Sequence, residues 1–446
     1  MGGMEMPEGI YAVAEGVESL ELDTSLPHKP LLVVVRERHL QVGGLAKDVL
    51  LCVKHAPSKA AEIRERLLVN TGTTITEERV HEALRALTDS AILETLDQPE
   101  REHPQNERKK SGAGEYFIFK VPLLTEKTLR PITSRLASLF HPRLMIYLLP
   151  AMFAAQMLLW PLFFSGFRSL VGSLRGWDYV LLLVGNYLGL VLHELGHASA
   201  CASFGARHGP IGFGIYLIFP AFYTDVTAAW RLPRLRRIVV DAGGIYLNLI
   251  SATVAALLYF LTHQAVFAAL VGIYDVVVWF SLWPFVRLDG YWLIGDVLGV
   301  PNLMSANREL TKWLGRKIFG MKSPRPHILS IEPPWLRPLY FTYYALFLVS
   351  VCGMIYILSR LYVPFLVKSL PAILRIAIAE VHRHGMSLTF LKLLLGILFM
   401  LVPVLGLSLH FLRAGKRVLL GLSRWFLVHS YSSSRARLGD HTSGLG

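Results

Sequence analysis

From residue 144 onward the sequence supplies one apolar stretch after another, each close to the ~20 residues a helix needs to cross a hydrocarbon bilayer. Residues 144–164, 177–200, 238–261, 265–286, 338–359 and 386–411 qualify, so six spans are expected. In hydrocarbon every backbone polar group must be satisfied internally, which leaves such a chain little choice beyond a helix bundle. The stretch 361–381 is also apolar but carries Lys368 and Arg375, and is expected to lie in the interface. Composition agrees: 53% of the 446 residues are hydrophobic and 17% charged, against about a quarter charged in soluble domains. Disordered, collagen-like and ordinary soluble classes are excluded together.

The charges divide the chain. Residues 1–143 hold 19 Lys/Arg against 21 Asp/Glu, and residues 144–446 hold 26 against 11. A near-neutral head therefore precedes a basic membrane body. Cations cluster in three places: Arg207, Arg231, Arg234, Arg236 and Arg237; Arg308, Lys312, Arg316, Lys317, Lys322 and Arg325; and Arg413, Lys416, Arg417 and Arg424. Six spans with the N-terminus inside put all three on the cytoplasmic face, the orientation that basic loops favour. The expectation is a multi-pass protein of a bacterial cell membrane with both termini cytoplasmic. Cys52, Cys201 and Cys352 form no CxxC pair and read as inert thiols. The acidic N-terminus lacks the apolar core of a secretory signal, and Met6 breaks the myristoylation pattern.

Residues 1–28 read as an acidic lead-in without periodicity. A β-branched strand at 31–35 with a partner at 39–42 is followed by amphipathic segments at 46–54, 58–68 and 74–87. Strands at 92–96 and 116–121 then flank a polar insert, 97–114. This order predicts an α+β winged-helix domain over residues 29–125. An amphipathic connector (126–143), a membrane core (144–305), a loop with C-terminal membrane helices (306–413) and a basic cytoplasmic tail (414–446) complete the organisation. The expected fold is mainly α: a polytopic membrane bundle carrying a winged-helix head. DNA binding normally leaves a basic footprint, and the head has none, so no nucleic acid is expected.

The second span ends in His193-Glu194-Leu195-Gly196-His197. On a helix the two histidines are one turn apart on the same face, a spacing that suits Zn²⁺, and Glu194 can take a proton from an activated water. A pair of packed helix histidines is the bland alternative, but ionisable clusters inside apolar spans are costly without a function. Two imidazoles leave zinc short of a protein ligand. Asp289 is the leading third ligand, because the fourth span ends near it on the face where the second span ends. Asp225, Asp241 and Asp296 are its competitors. Asp225 and Asp241 are expected to pair with the arginines of 231–237, and Asp296 to cap or support. His208 reads as a loop residue.

HELGH on a membrane helix, with Leu288-Asp289-Gly290 about 90 residues later, resembles the site-2 protease family of intramembrane zinc metallopeptidases. The segments 219–227 and 241–248 are similar to further segments of that family. Leu288–Trp292 and Pro301-Asn302-Leu303 most resemble a bacterial subgroup of peptide zinc metalloproteases. Its members often carry a winged-helix head like the peptide chaperones of modified-peptide biosynthesis. The resemblance spans about residues 30 to 305. It implies that Asn248 positions the substrate or its oxyanion, the alternative being an interhelical hydrogen bond. It also implies that the Gly/Pro-punctuated run 211–223, with Phe219 and Pro220, lies near the site and pairs with an extended substrate. The chain departs from the family at Trp283, where Asn is usual, and at Gly244, where Pro is usual.

The function expected from these residues and this likeness is a membrane-embedded zinc metalloendopeptidase. Its substrate would be a ribosomally made modified-peptide precursor whose leader is removed after capture by strand addition at Leu32, Val33, Val34 and Val35. Regulated intramembrane proteolysis of a single-span signalling protein is the rival enzymatic reading. A non-proteolytic export or immunity component is the rival of another class. Expected partners are the precursor peptide or membrane-protein substrate and the lipid bilayer.

Overall fold

The computed structural model describes residues 9–35, 38–72, 74–96, 117–165, 172–216, 219–321, 323–384, 394 and 397. These are mainly helical and divide into two compact units, residues 1–214 with 221–349 and residues 215–220 with 350–446.

The head begins earlier than its charge pattern suggests. β1 (Tyr11–Val13) and β2 (Glu18–Glu21) precede β3 (Leu31–Val35) and β4 (Arg38–Val42). α1 (Gly44–His55), α2 (Ala60–Thr71), α3 (Glu77–Asp89) and β5 (Leu93–Thr95) follow. α3 forms because Val80, Ala83, Leu84 and Leu87 recur on one buried face, while Glu77 and Glu78 suit the positive end of the helix dipole. With Val33, Val35, Val49, Ile63 and Leu67 they close one apolar core. The stretch expected as a lead-in is part of this unit. Its acidity hides Tyr11 and Leu22, both buried, and it contributes β1 to β5 and β2 to β3.

The strand pair expected after the helices is not formed. β5 pairs with β1 in the register Tyr11↔Thr95 and Val13↔Leu93. β6 (Phe117–Leu124) instead joins β7 (Ile211–Tyr216) and β8 (Phe219–Thr224) in a sheet of order β6-β7-β8. Phe119, Val121 and Leu123 of β6 are about half exposed, so this strand offers the head no core face. The insert 97–114 lies outside the described residues.

In the sheet β2-β3-β4, β3 is central, and both its edges are already paired. Leu32, Val33 and Val35 are buried, and no added strand can reach the backbone of Leu32, Val33, Val34 or Val35 without displacing a neighbour. The β-branched run that made this strand easy to see is the mark of a central strand rather than an open edge.

After α4 (Glu126–Leu136) come α5 (Pro142–Ser165) and α6 (Trp177–Ser203). Beyond the β7–β8 pair lie α7 (Arg234–Asp241), α8 (Gly243–Thr262), α9 (Ala265–Ser281) and α10 (Asp289–Leu298). α11 (Leu303–Ile318), α12 (Leu336–Tyr356) and α13 (Val363–His384) follow. Among the described residues four helical runs are long and apolar enough to cross a membrane: Pro142–Pro161, Trp177–Ser203, Arg234–Thr262 and Leu336–Arg383. The expected fourth span is α9, which stops at 17 residues because Pro284 follows it closely. The expected sixth, 386–411, and the tail 414–446 lie outside the described residues. The stretch 361–381 is no separate interfacial helix. It continues α12 through a π-helical segment, Ile357–Tyr362, which holds no glycine or proline to stop it.

Small residues set the packing around the site. A Cβ on Gly196 would collide with the carbonyl of Gly243, so α6 and α8 touch backbone to backbone there. One turn before His193, Gly189 leaves room for the ring of Tyr274, whose hydroxyl donates to the Gly185 carbonyl at 2.6 Å.

Candidate metal centre

α6 carries His193 and His197 into the interior, 8% and 7% exposed. Asp289 opens α10 and meets both. His193 Nε2 lies 3.0 Å from Asp289 Oδ2, His197 Nε2 lies 3.4 Å from Asp289 Oδ1, and the two Nε2 atoms are 3.3 Å apart. One donor atom from each of the three residues falls within 4.8 Å of the others. Two imidazole nitrogens and a carboxylate oxygen are the donor types zinc takes.

The space in front of these donors is kept open by glycine. A Cβ at Gly244 would stand 2.5 Å from Nε2 of both histidines, where a cation bound to them must sit. Gly244 thus forms the floor of the cluster. Gly290 has a different task, since a Cβ there would overlap the Leu282 carbonyl and push α10, with Asp289, away. The donors, and the room that Gly244 leaves beside them, fit a metal ion. Gly244→Ala is expected to lower metal occupancy at least tenfold with little change in thermal stability, measured by metal analysis of the purified protein.

Each imidazole is aimed from behind. His197 Nδ1 lies 2.8 Å from the Val240 carbonyl, and His193 Nδ1 lies 2.9 Å from Asn248 Nδ2. Glu194 is held by Thr224, whose hydroxyl lies 2.7 Å from Oε2 and 3.0 Å from the Glu194 carbonyl. Thr224 ends β8, so the hairpin reaches the carboxylate directly. Phe219 and Pro220 begin the same strand; their side chains lie outside the described residues.

The competing aspartates do other work. Asp296 forms a buried bidentate pair with Arg237, closest contact 2.7 Å, that ties α10 to α7. Asp241 forms no ion pair with the arginine cluster among the described residues, and its Oδ2 is buried without a hydrogen-bond partner there. Asp225 accepts from the Thr227 N–H and hydroxyl, closing its own turn, while Arg231 pairs with Glu18 at 2.9 Å. Short-range turn geometry and burial outrank net charge here, which is why pairing read from sequence missed. His208 is packed against Thr133 at 3.1 Å, away from the cluster, as a loop residue would be. Arg237→Met should cost about 3–5 kcal/mol by stranding a buried carboxylate, read as a drop in the unfolding temperature in detergent.

Thr224, Val240 and Gly244 were not identified from sequence as parts of this centre. A backbone carbonyl leaves no signal in sequence, and the hydroxyl and the glycine gain meaning only from what stands opposite them. Burial raises the Cys52 thiol above its ordinary value, in keeping with an inert thiol.

No family model matches the chain, and no solved structure matches it. Over 120 residues it is 28% identical to "Putative peptide zinc metalloprotease protein YydH" of Bacillus subtilis (strain 168). That stretch is 26% of this chain and 47% of the relative, so the match spans about half the length of the curated protein.

Proposed function

We propose that the chain is a membrane-embedded zinc metalloendopeptidase of site-2 protease type. The observation that carries this reading is the convergence of His193, His197 and Asp289 beside Glu194 on a helix apolar enough to span. The likeness to a protein named as a peptide zinc metalloprotease supports it. A zinc ion held by the three side chains would supply Lewis acidity toward a peptide carbonyl and toward water. Glu194 takes the proton of the attacking water and returns it to the leaving amine, with Thr224 fixing which carboxylate oxygen is free to do so.

Peptide bonds inside helices are shielded, so the substrate must arrive extended. Among the described strands β8 is an edge of its sheet, and it ends at the residue that touches Glu194. A segment paired along β8 would bring its backbone to the base. The substrate we favour is a ribosomally made precursor peptide that loses its leader here. Support for this lies at a place other than β3. A cavity of about 520 Å³ where the head meets α11 is lined by Gln41, Leu45, Ile75, Arg79, Asn302 and Glu309, so apolar side chains and both signs of charge face it. Such a surface suits a peptide better than a nucleic acid.

Peptides accumulating in cells that carry the wild-type chain or Glu194→Gln, compared by mass spectrometry, test the proposal. A leader-bearing precursor accumulating only with the variant is expected. Accumulation of an intact single-span protein would favour the signalling reading, and no difference would overturn proteolysis.

A further inference from the structure

The side chain of Asn248 is 1% exposed, and its Oδ1 has no hydrogen-bond partner among the described residues, whereas its Nδ2 lies 2.9 Å from His193 Nδ1. A buried amide oxygen without a donor is destabilising. In this arrangement the amide donates to Nδ1, and a neutral His193 then carries its proton on Nε2, facing Asp289 Oδ2 at 3.0 Å. A half-turn of the terminal amide exchanges oxygen and nitrogen without changing the packing. Oδ1 then accepts from Nδ1–H, and the Nε2 lone pair is freed toward the cluster.

His197 shows which arrangement a cation needs. Its Nδ1 faces the Val240 carbonyl at 2.8 Å, an atom that can only accept. The His197 proton is therefore fixed on Nδ1, and its Nε2 is presented as a ligand. For His193 to match, its Nδ1 must also face an acceptor, and the side chain placed to supply one is Asn248.

We infer that Asn248 is a positioning residue that selects the ligating tautomer of His193 through its amide oxygen. This rests on the proposed metal site and assigns Asn248 to the metal rather than to the substrate's oxyanion. Because the contact stays at 2.9 Å in either orientation, the amide can also orient the ring whether it donates or accepts. The two roles use different atoms of the amide: ligand selection needs Oδ1 as an acceptor, and oxyanion binding needs Nδ2 as a donor.

The test is the affinity of the purified full chain for Zn²⁺ and Co²⁺, measured by competition with a chelator, in wild type, Asn248→Leu, Asn248→Asp and His193→Ala. Asn248→Leu removes the acceptor at similar volume and should weaken binding about 10–100-fold, the usual effect of losing a partner behind a ligand. Asn248→Asp keeps an acceptor and should bind as tightly as wild type or tighter, with the Co²⁺ visible spectrum preserved. Wild-type affinity in Asn248→Leu would overturn the inference. Equal weakening in Asn248→Asp would also overturn it, because an acceptor alone would then not suffice. If His193→Ala itself binds as tightly as wild type, the metal-site reading fails instead, which separates the two failures.

Discussion

Glu194→Gln is expected to reduce peptide hydrolysis by about 10²–10⁴-fold, the range general-base catalysis supplies, while metal content stays at the wild-type level. The substitution preserves size, and the amide oxygen can still accept from the Thr224 hydroxyl, so the contact between β8 and α6 survives. What is lost is the proton acceptor alone. Cleavage of the precursor by purified variant and wild type, alongside metal analysis of the same samples, checks it. If the variant cleaves at the wild-type rate, Glu194 is not the base. If it restores every phenotype of a deletion, the chain acts without proteolysis.

The second large effect concerns Asp289. Its oxygens lie 3.0 and 3.4 Å from the two Nε2 atoms, so Asp289→Ala removes a whole donor rather than a supporting contact. Metal affinity should fall by more than the ~10–100-fold typical of a residue behind the ligands. Asp225→Ala should leave affinity unchanged, since that carboxylate closes the turn at Thr227. Asp296→Ala should lower stability first, because it strands the buried Arg237. Chelator competition on the three variants distinguishes these outcomes. Loss of metal in Asp225→Ala with retention in Asp289→Ala would mean the third ligand is elsewhere.

The ligand cluster was legible in sequence because it uses side chains at a helical spacing, His193 and His197, and because acidic residues in an apolar body are few. The amphipathic helices of the head were legible for a related reason, since periods such as Val80, Leu84 and Leu87 are local. Strand partners were not. β5 and β6 flank one insert in sequence yet belong to different sheets, and β1 lies in a stretch whose acidity masks Tyr11. The open edge was placed on β3 because its run of valines was conspicuous, although such runs mark a strand covered on both sides. Of the two expectations for Asn248, substrate positioning or an interhelical hydrogen bond, the contact with His193 is of the second kind.

The most direct test of the account is the zinc content of the purified full chain beside that of a His193→Ala/His197→Ala double variant. About one zinc per wild-type chain is expected, removable by a chelator and restored on adding zinc, and none held by the folded double variant. A folded wild-type chain that binds no zinc, or a double variant that binds it equally, would contradict the account.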